Sequence, residues 1–218
     1  MKILLAVLPP LLIAYYIYKK DKYDVEPRGM IIKSFLFGCL TVVPVLFIYE
    51  FIDKSVFPNL FLYVFFGIAF VEEGVKYLFL KKFLYSSKDF NEPMDGIVYA
   101  VMVSLGFATV ENIQYVIYNF PDSSFEVGFK RMFTAIPLHA LCGVIMGYFV
   151  GLAKFSSNKN QLIFKGIFLA VLLHCVYNYY LFAGDSFIFS ILSLIAAAYY
   201  SNKAIKILQI DSKKRNLN

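Results

Sequence analysis

The stretch that decides the fold is Asn59-Leu-Phe-Leu-Tyr-Val-Phe-Phe-Gly-Ile-Ala-Phe-Val-Glu-Glu-Gly-Val-Lys-Tyr-Leu-Phe-Leu80. It is apolar enough and long enough to cross a bilayer, which takes about 20 residues at 1.5 Å of rise each. Yet it carries Glu72 and Glu73 side by side, with Lys76 one turn on. One ionisable group at bilayer depth costs about 2.5–3.5 kcal/mol on insertion scales, so such residues mark function by default. Lys76 is i,i+4 from Glu72 and i,i+3 from Glu73, so it reaches either carboxylate. The two glutamates diverge by about 100° around the helix axis, so one can face a reacting centre while the other braces a neighbouring helix.

Composition agrees with a membrane setting. The 218 residues are 60% hydrophobic and only 17% charged, with mean hydropathy +0.66, against about 25% charged in soluble domains. The expected fold is all-α: one polytopic transmembrane domain over 1–218, with seven spans at 2–18, 31–52, 59–80, 96–119, 129–153, 161–182 and 185–202. Residues 203–218 then form a short basic cytoplasmic tail. The first stretch has no small-residue cleavage site after it and reads as a retained anchor. Cys39, Cys142 and Cys175 lie in apolar runs without CxxC spacing and read as small buried side chains.

Seven spans place sixteen lysines and arginines on one side and four on the other; Lys76 is the last of the 21. The positive-inside rule then puts the N-terminus outside and the C-terminus in the cytoplasm. This distribution accounts for the net charge of +6 as a membrane signal, and no nucleic-acid partner is expected. Tyrosines such as Tyr15, Tyr49, Tyr118 and Tyr200 fall at span ends, as an aromatic belt would.

Four further polar groups lie inside other spans: Glu111 with Asn112, His139, and His174 with Asn178. Both histidines of the chain are therefore intramembrane. Measured from the outer span ends, Glu72 lies roughly 20 Å deep, His139 15 Å, and Glu111 and His174 12 Å. With span ends placed to within about 5 Å, all four can meet at one level, from mid-membrane into its outer half. Two carboxylates in a low-dielectric site do not both ionise cheaply, and a positioned one can act as general base toward water. The candidate catalytic set is Glu72, Glu73, His139, His174 and Asn178, with Asn178 or Asn112 able to donate to an oxyanion. Lys76, Glu111 and Asn112 support it. His139, His174 and Glu73 also suffice to hold one divalent metal ion such as zinc, although no HExxH helix is present. Asp95, ahead of Gly96, reads as a helix cap.

Several strings resemble the PrsW family of bacterial membrane proteases, in order from about residue 20 to 180. They are Lys20-Asp21-Lys22-Tyr23-Asp24-Val25-Glu26-Pro27, Phe70-Val71-Glu72-Glu73-Gly74-Val75-Lys76-Tyr77 and Met94-Asp95-Gly96-Ile97-Val98-Tyr99, then Ser104 to Asn112, Pro137-Leu138-His139-Ala140, Gly143-Val144-Ile145-Met146-Gly147 and His174-Cys175-Val176-Tyr177-Asn178. That family is similar to the wider group of CAAX-type prenyl proteases and bacteriocin-processing enzymes, which share a Glu-Glu helix, a helix-borne histidine and a later HxxxN pair. Ala135 stands where the wider group has phenylalanine, and Lys76 follows Glu73 by three residues where the prenyl proteases carry a more distant arginine. Both departures favour PrsW. The resemblance implies an endopeptidase of the bacterial plasma membrane, making the first, site-1, cut in a single-span anti-sigma factor. That cut would belong to regulated intramembrane proteolysis in a stress response. It leaves open whether a metal takes part and which glutamate is the base. From the residues alone, a proton-coupled transporter, a CAAX-like protease acting on another peptide, and a non-enzymatic sensor remain alternatives; loss of cleavage without both carboxylates separates a protease from the others.

Overall fold

The computed structural model describes residues 2–184 and 187–215. Met1, the first two residues of the expected span 185–202 and the last three of the expected tail lie outside them. Every regular element among the described residues is helical: α1 (Lys2–Lys20), α2 (Arg28–Tyr49), α3 (Leu60–Leu62), α4 (Phe70–Phe79), α5 (Pro93–Gln114), α6 (Ser124–Phe133), α7 (Ala135–Lys154), α8 (Lys159–Ala183) and α9 (Phe187–Arg215), with short 3₁₀ and π segments between some of them.

Helix α5 is the axis of the bundle. Its sequence is apolar on all sides, the pattern of a helix buried all round, and almost every residue from Pro93 to Thr109 is buried. Helices α7, α2 and α1 pack directly on it, and α8 and α9 close the far side of α7. The α5–α7 contact is made through backbone. A Cβ added at Gly147 would collide with the Gly96 carbonyl, and one at Gly151 with that of Pro93. Small residues at such spacing let membrane helices approach closely. Asp95 takes part in capping α5, from the third helical position with Glu92 as the N-cap: its Oδ2 accepts from the Asn91 and Glu92 amides at 2.7 and 2.8 Å. Gly184, at φ 73°, ends α8 in the left-handed conformation, which glycine adopts without steric cost.

Among the described residues, six stretches are long and apolar enough to cross a membrane by length and composition: Lys2–Lys20, Arg28–Tyr49, Pro93–Asn119, Ser124–Lys154, Lys159–Ala183 and Phe187–Arg215. The expected span 59–80 is built of successive helical turns over 60–84, with π segments at Tyr63–Ala69 and Leu80–Leu84. Glu72, Glu73 and Lys76 interrupt its apolar run. The expected span 129–153 is broken at Thr134, whose φ of −126° and ψ of −75° are not helical. Pro137 follows, and without an N–H it cannot bond back to the preceding turn. The short helix α6 before the break turns Phe125, Phe129 and Phe133 outward on one face, the pattern of a helix lying in the membrane interface. Helix α9 runs on unbroken to Arg215, so most of the expected tail is helical.

Candidate active site

Helix α4 carries Glu72, Glu73 and Lys76 directly after the π segment Tyr63–Ala69. Such widened turns recur at functional sites because they re-aim side chains within an otherwise regular helix. Helix α5 brings Glu111 and Asn112, α7 brings His139 one half-turn after Pro137, and α8 brings His174 and Asn178. The four elements meet, and Glu72, Glu73, Lys76, His139, His174 and Asn112 are all buried.

Lys76 is the hub. Its Nζ donates to Glu73 Oε1 at 2.8 Å, stands 3.5 Å from Glu72 Oε2, and donates to His139 Nδ1 at 3.1 Å. The ammonium also lies 4.0 Å from the centre of the Phe107 ring, a favourable cation–π contact. An ammonium only donates, so His139 Nδ1 accepts and its Nε2–H is left to donate to Glu111 Oε2 at 3.0 Å. His174 is turned the other way. Its Nδ1–H donates to Glu73 Oε1 at 2.9 Å, which leaves the Nε2 lone pair free, 3.9 Å from Glu72 Oε2.

The two adjacent glutamates thus have different surroundings. Glu73 is fully buried and bound by Lys76 and His174. Glu72 lines a cavity of about 540 Å³ together with Tyr49, Glu111, His139, His174 and Asn178. Asn178 is half-buried on that wall and shows no side-chain hydrogen bond among the described residues.

Two contributors are not legible as site residues in the sequence. Tyr49 donates its hydroxyl to Glu72 Oε1 at 2.8 Å. Arg131, on α6, donates to Glu111 Oε2 and to Asn112 Oδ1, each at 2.6 Å, and stacks 3.9 Å from the Tyr115 ring centre. In the sequence Tyr49 is one of many span-end tyrosines and Arg131 one of the outer-side charges. The only hint is that Arg131 sits at the lip of an apolar run.

A divalent metal ion fits this donor set. One ligand atom from each of Glu72, Glu73, His139 and His174 lies within 4.8 Å of the others, so Glu72 joins the three ligands expected. Carboxylate oxygen and imidazole nitrogen are the donors that zinc and similar ions accept. Glu73 Oε2 is buried without a hydrogen-bond partner, the kind of atom a cation satisfies. The Lys76 ammonium already stands among three of the donors, so a metal would share them with it or displace it.

Comparison with known proteins agrees with this geometry. The chain is 38% identical over 205 residues to "Protease PrsW" of Oceanobacillus iheyensis, covering 91% of this chain and 93% of that protein. It is 36% identical over 197 residues to the protein of the same name from Bacillus subtilis, covering 89% and 88%. The figure is 37% over 185 residues for that of Clostridioides difficile, covering 82% and 78%. No solved structure matches the chain. Residues 26–201, which include every site residue named above, match the family described as PrsW family intramembrane metalloprotease. With its apolar helices and buried Glu–His–Lys cluster, this chain is a multi-pass membrane protein of the plasma membrane and belongs to the PrsW protease family.

Proposed function

We propose that this chain is an endopeptidase making the site-1 cut in a single-span, membrane-anchored anti-sigma factor, which starts release of the sigma factor. The observation that carries the chemistry is the pair of acceptors on the cavity wall, Glu72 Oε2, whose bond to Lys76 is a long 3.5 Å, and His174 Nε2, 3.9 Å from it. One water can bond to both. Glu72 takes a proton from it as the oxygen attacks the scissile carbonyl, and later returns that proton to the leaving amine. Tyr49 holds the far oxygen of Glu72 and so aims the near one. Asn178 offers its amide to the developing oxyanion. Glu73 and Lys76 fix His174 and His139 by hydrogen bonds and keep the buried charge paired. Glu73, Glu72 and the two histidines are the residues that would hold a divalent metal, and such an ion would supply Lewis-acid polarisation of water or carbonyl.

The substrate side of the reading rests on where the cavity opens. Its wall includes Ile52, Asn119 and Phe120, which lie in connections on the side poor in lysine and arginine. With the N-terminus outside, that is the outer face, where a site-1 cut belongs.

The test is co-expression with a tagged single-span anti-sigma factor in a bacterial host lacking its own PrsW protease. Wild type should produce a shortened membrane fragment with a new terminus in its outer segment, and Glu72→Gln should not. An intact substrate beside well-expressed wild type would refute the substrate assignment. Cleavage undiminished in both Glu72→Gln and Glu73→Gln would refute the site.

A further inference from the structure

A second hollow, about 610 Å³, opens on the opposite face of α8 from the active site, between α7, α8 and α9. Leu172, Leu173 and Val176 of α8 line it, whereas His174, Tyr177 and Asn178 line the catalytic cavity. Helix α9 presents small side chains to it, Ala196, Ala197, Ser201 and Ala204 among them. The helix is pinned at both ends: Ser190 Oγ donates to the Tyr177 carbonyl at 2.9 Å, and Gln209 Nε2 donates to the Lys20 carbonyl. Held at its ends, with alanine and serine facing α8 and its larger lining residues Tyr200 and Ile207 exposed, α9 leaves the space beside α8 unfilled. The walls are otherwise apolar, and apolar cavities do not retain water.

Charge says what does fill it. The charged residues lining the hollow are Lys165 on α8 and Lys203 on α9, both exposed and both on the side expected to be cytoplasmic. The Lys165 ammonium lies 5.0 Å from the Phe149 ring centre, across the mouth. Basic pockets between membrane helices on the cytoplasmic side bind anionic lipid head groups. A protein transmembrane segment is disfavoured there, because the cytoplasmic flanks of such segments are themselves rich in lysine and arginine and would meet like charge. We propose that this hollow is a binding site for one anionic phospholipid, with an acyl chain along α8 and α9 and its phosphate between Lys165 and Lys203.

The experiment is native mass spectrometry of the full chain released from nanodiscs of phosphatidylglycerol and phosphatidylcholine in equal parts. Wild type should retain one phosphatidylglycerol in clear preference to phosphatidylcholine. The double variant Lys165→Ala/Lys203→Ala should lose that retention roughly tenfold. The double variant Lys159→Ala/Lys206→Ala, which removes two lysines outside the hollow, should not. Ala196→Phe, which fills the groove without touching a lysine, should lose the lipid as well. Equal retention in all variants, or equal retention of the two lipids, would overturn the proposal. So would a dimer in place of the lipid adduct that Ala196→Phe abolishes, since the occupant would then be a second copy of the chain. None of these readouts depends on proteolysis.

Discussion

Lys76 donates a hydrogen bond to His139 across 3.1 Å, from one buried helix to another. That contact assigns the proton of His139 to Nε2, which donates it in a hydrogen bond to Glu111, and it makes Lys76 the cation on which Glu72, Glu73 and His139 all converge. Two carboxylates face one ammonium, so the cluster keeps one negative charge beyond what Lys76 balances. A site of that kind attracts a further cation.

Lys76→Met removes the cation and leaves both carboxylates buried without it. Breaking a buried pair from one side costs about 3–5 kcal/mol. Thermal melting in detergent should therefore fall well below wild type, and Lys76→Arg should not restore it, because a planar guanidinium does not fit three converging acceptors. A melting temperature equal to wild type would contradict the hub role.

Glu72 and Glu73 should separate in experiment. Glu72→Gln keeps an acceptor for Tyr49 and should leave melting nearly unchanged, while substrate cleavage drops by about 10²–10⁴, the usual worth of a general base. Glu73→Gln weakens the bonds to both Lys76 and His174, so it should lower the melting temperature as well as the rate. The reverse pattern would exchange their roles.

Arg131→Ala takes away the charged partner of Glu111 and lets α6 detach from the end of α5. The expected loss is about 1–3 kcal/mol, the cost of leaving a polar group unsatisfied, together with slower cleavage through a misplaced His139. Arg131→Lys should recover part of the rate, since it keeps the charge on Glu111 but not the bond to Asn112. Measuring the three proteins side by side checks this, and wild-type behaviour of the alanine variant would exclude it.

Stability should rise as pH falls from about 8 toward 5. Asp21 and Glu92 sit buried where the α1–α2 connection meets the start of α5. Burial raises each to about 7, despite the Glu26 amide bonding Asp21 and the Ser212 hydroxyl bonding Glu92, and the negative charge of Asp95 adds to the rise in both. Glu26 is pushed to about 10 by burial and by Asp95, and the Tyr99 hydroxyl bonds it. A carboxyl whose folded value is raised binds its proton more tightly folded than unfolded. Its contribution is complete below the unfolded value near 4 and is lost as pH climbs through about 7. Melting curves across that range check it, and Asp21→Asn, which keeps an acceptor for the Glu26 amide, should flatten the dependence. A melting temperature that climbs with pH instead would refute the assignment.

Gly147→Ala should destabilise by about 1–3 kcal/mol through overpacking, because the added carbon meets the Gly96 carbonyl, which is backbone and cannot move aside. Gly29→Ala, with nothing within 4 Å of the new carbon, should be neutral or slightly stabilising. Paired chemical melts decide it; equal stability of the two would mean that α5 and α7 can part without cost.

Much of the candidate site was legible because ionisable residues in apolar runs stand out on cost alone. Glu72, Glu73, Lys76, Glu111, His139 and His174 could be picked that way, and helical spacing already tied Lys76 to both glutamates. Tyr49 and Arg131 could not be. A tyrosine at a span end and an arginine at the outer edge of one are ordinary membrane-interface residues; the packing of α2 on α4 recruits Tyr49, and the return of α6 beside the end of α5 recruits Arg131. The break at Thr134 was hidden for a related reason: the apolar run continues across it, and hydropathy registers composition, not backbone angles. Asp95 was readable as a cap, but nothing in the string Lys20 to Pro27 marked Asp21 and Glu26 as buried, which packing against the start of α5 makes them.

The sequence by itself determined that the chain is a helical membrane protein and which ionisable side chains stand inside its apolar runs, because the cost of a charge in hydrocarbon depends on residue type and local run alone. Only the tertiary structure decided how those side chains are arranged. Which glutamate faces the cavity, which nitrogen of each histidine is free, and that Lys76 joins three acceptors all follow from the rotation and closeness of four packed elements. Those in turn depend on backbone contacts such as Gly96 against Gly147, which no single segment specifies on its own.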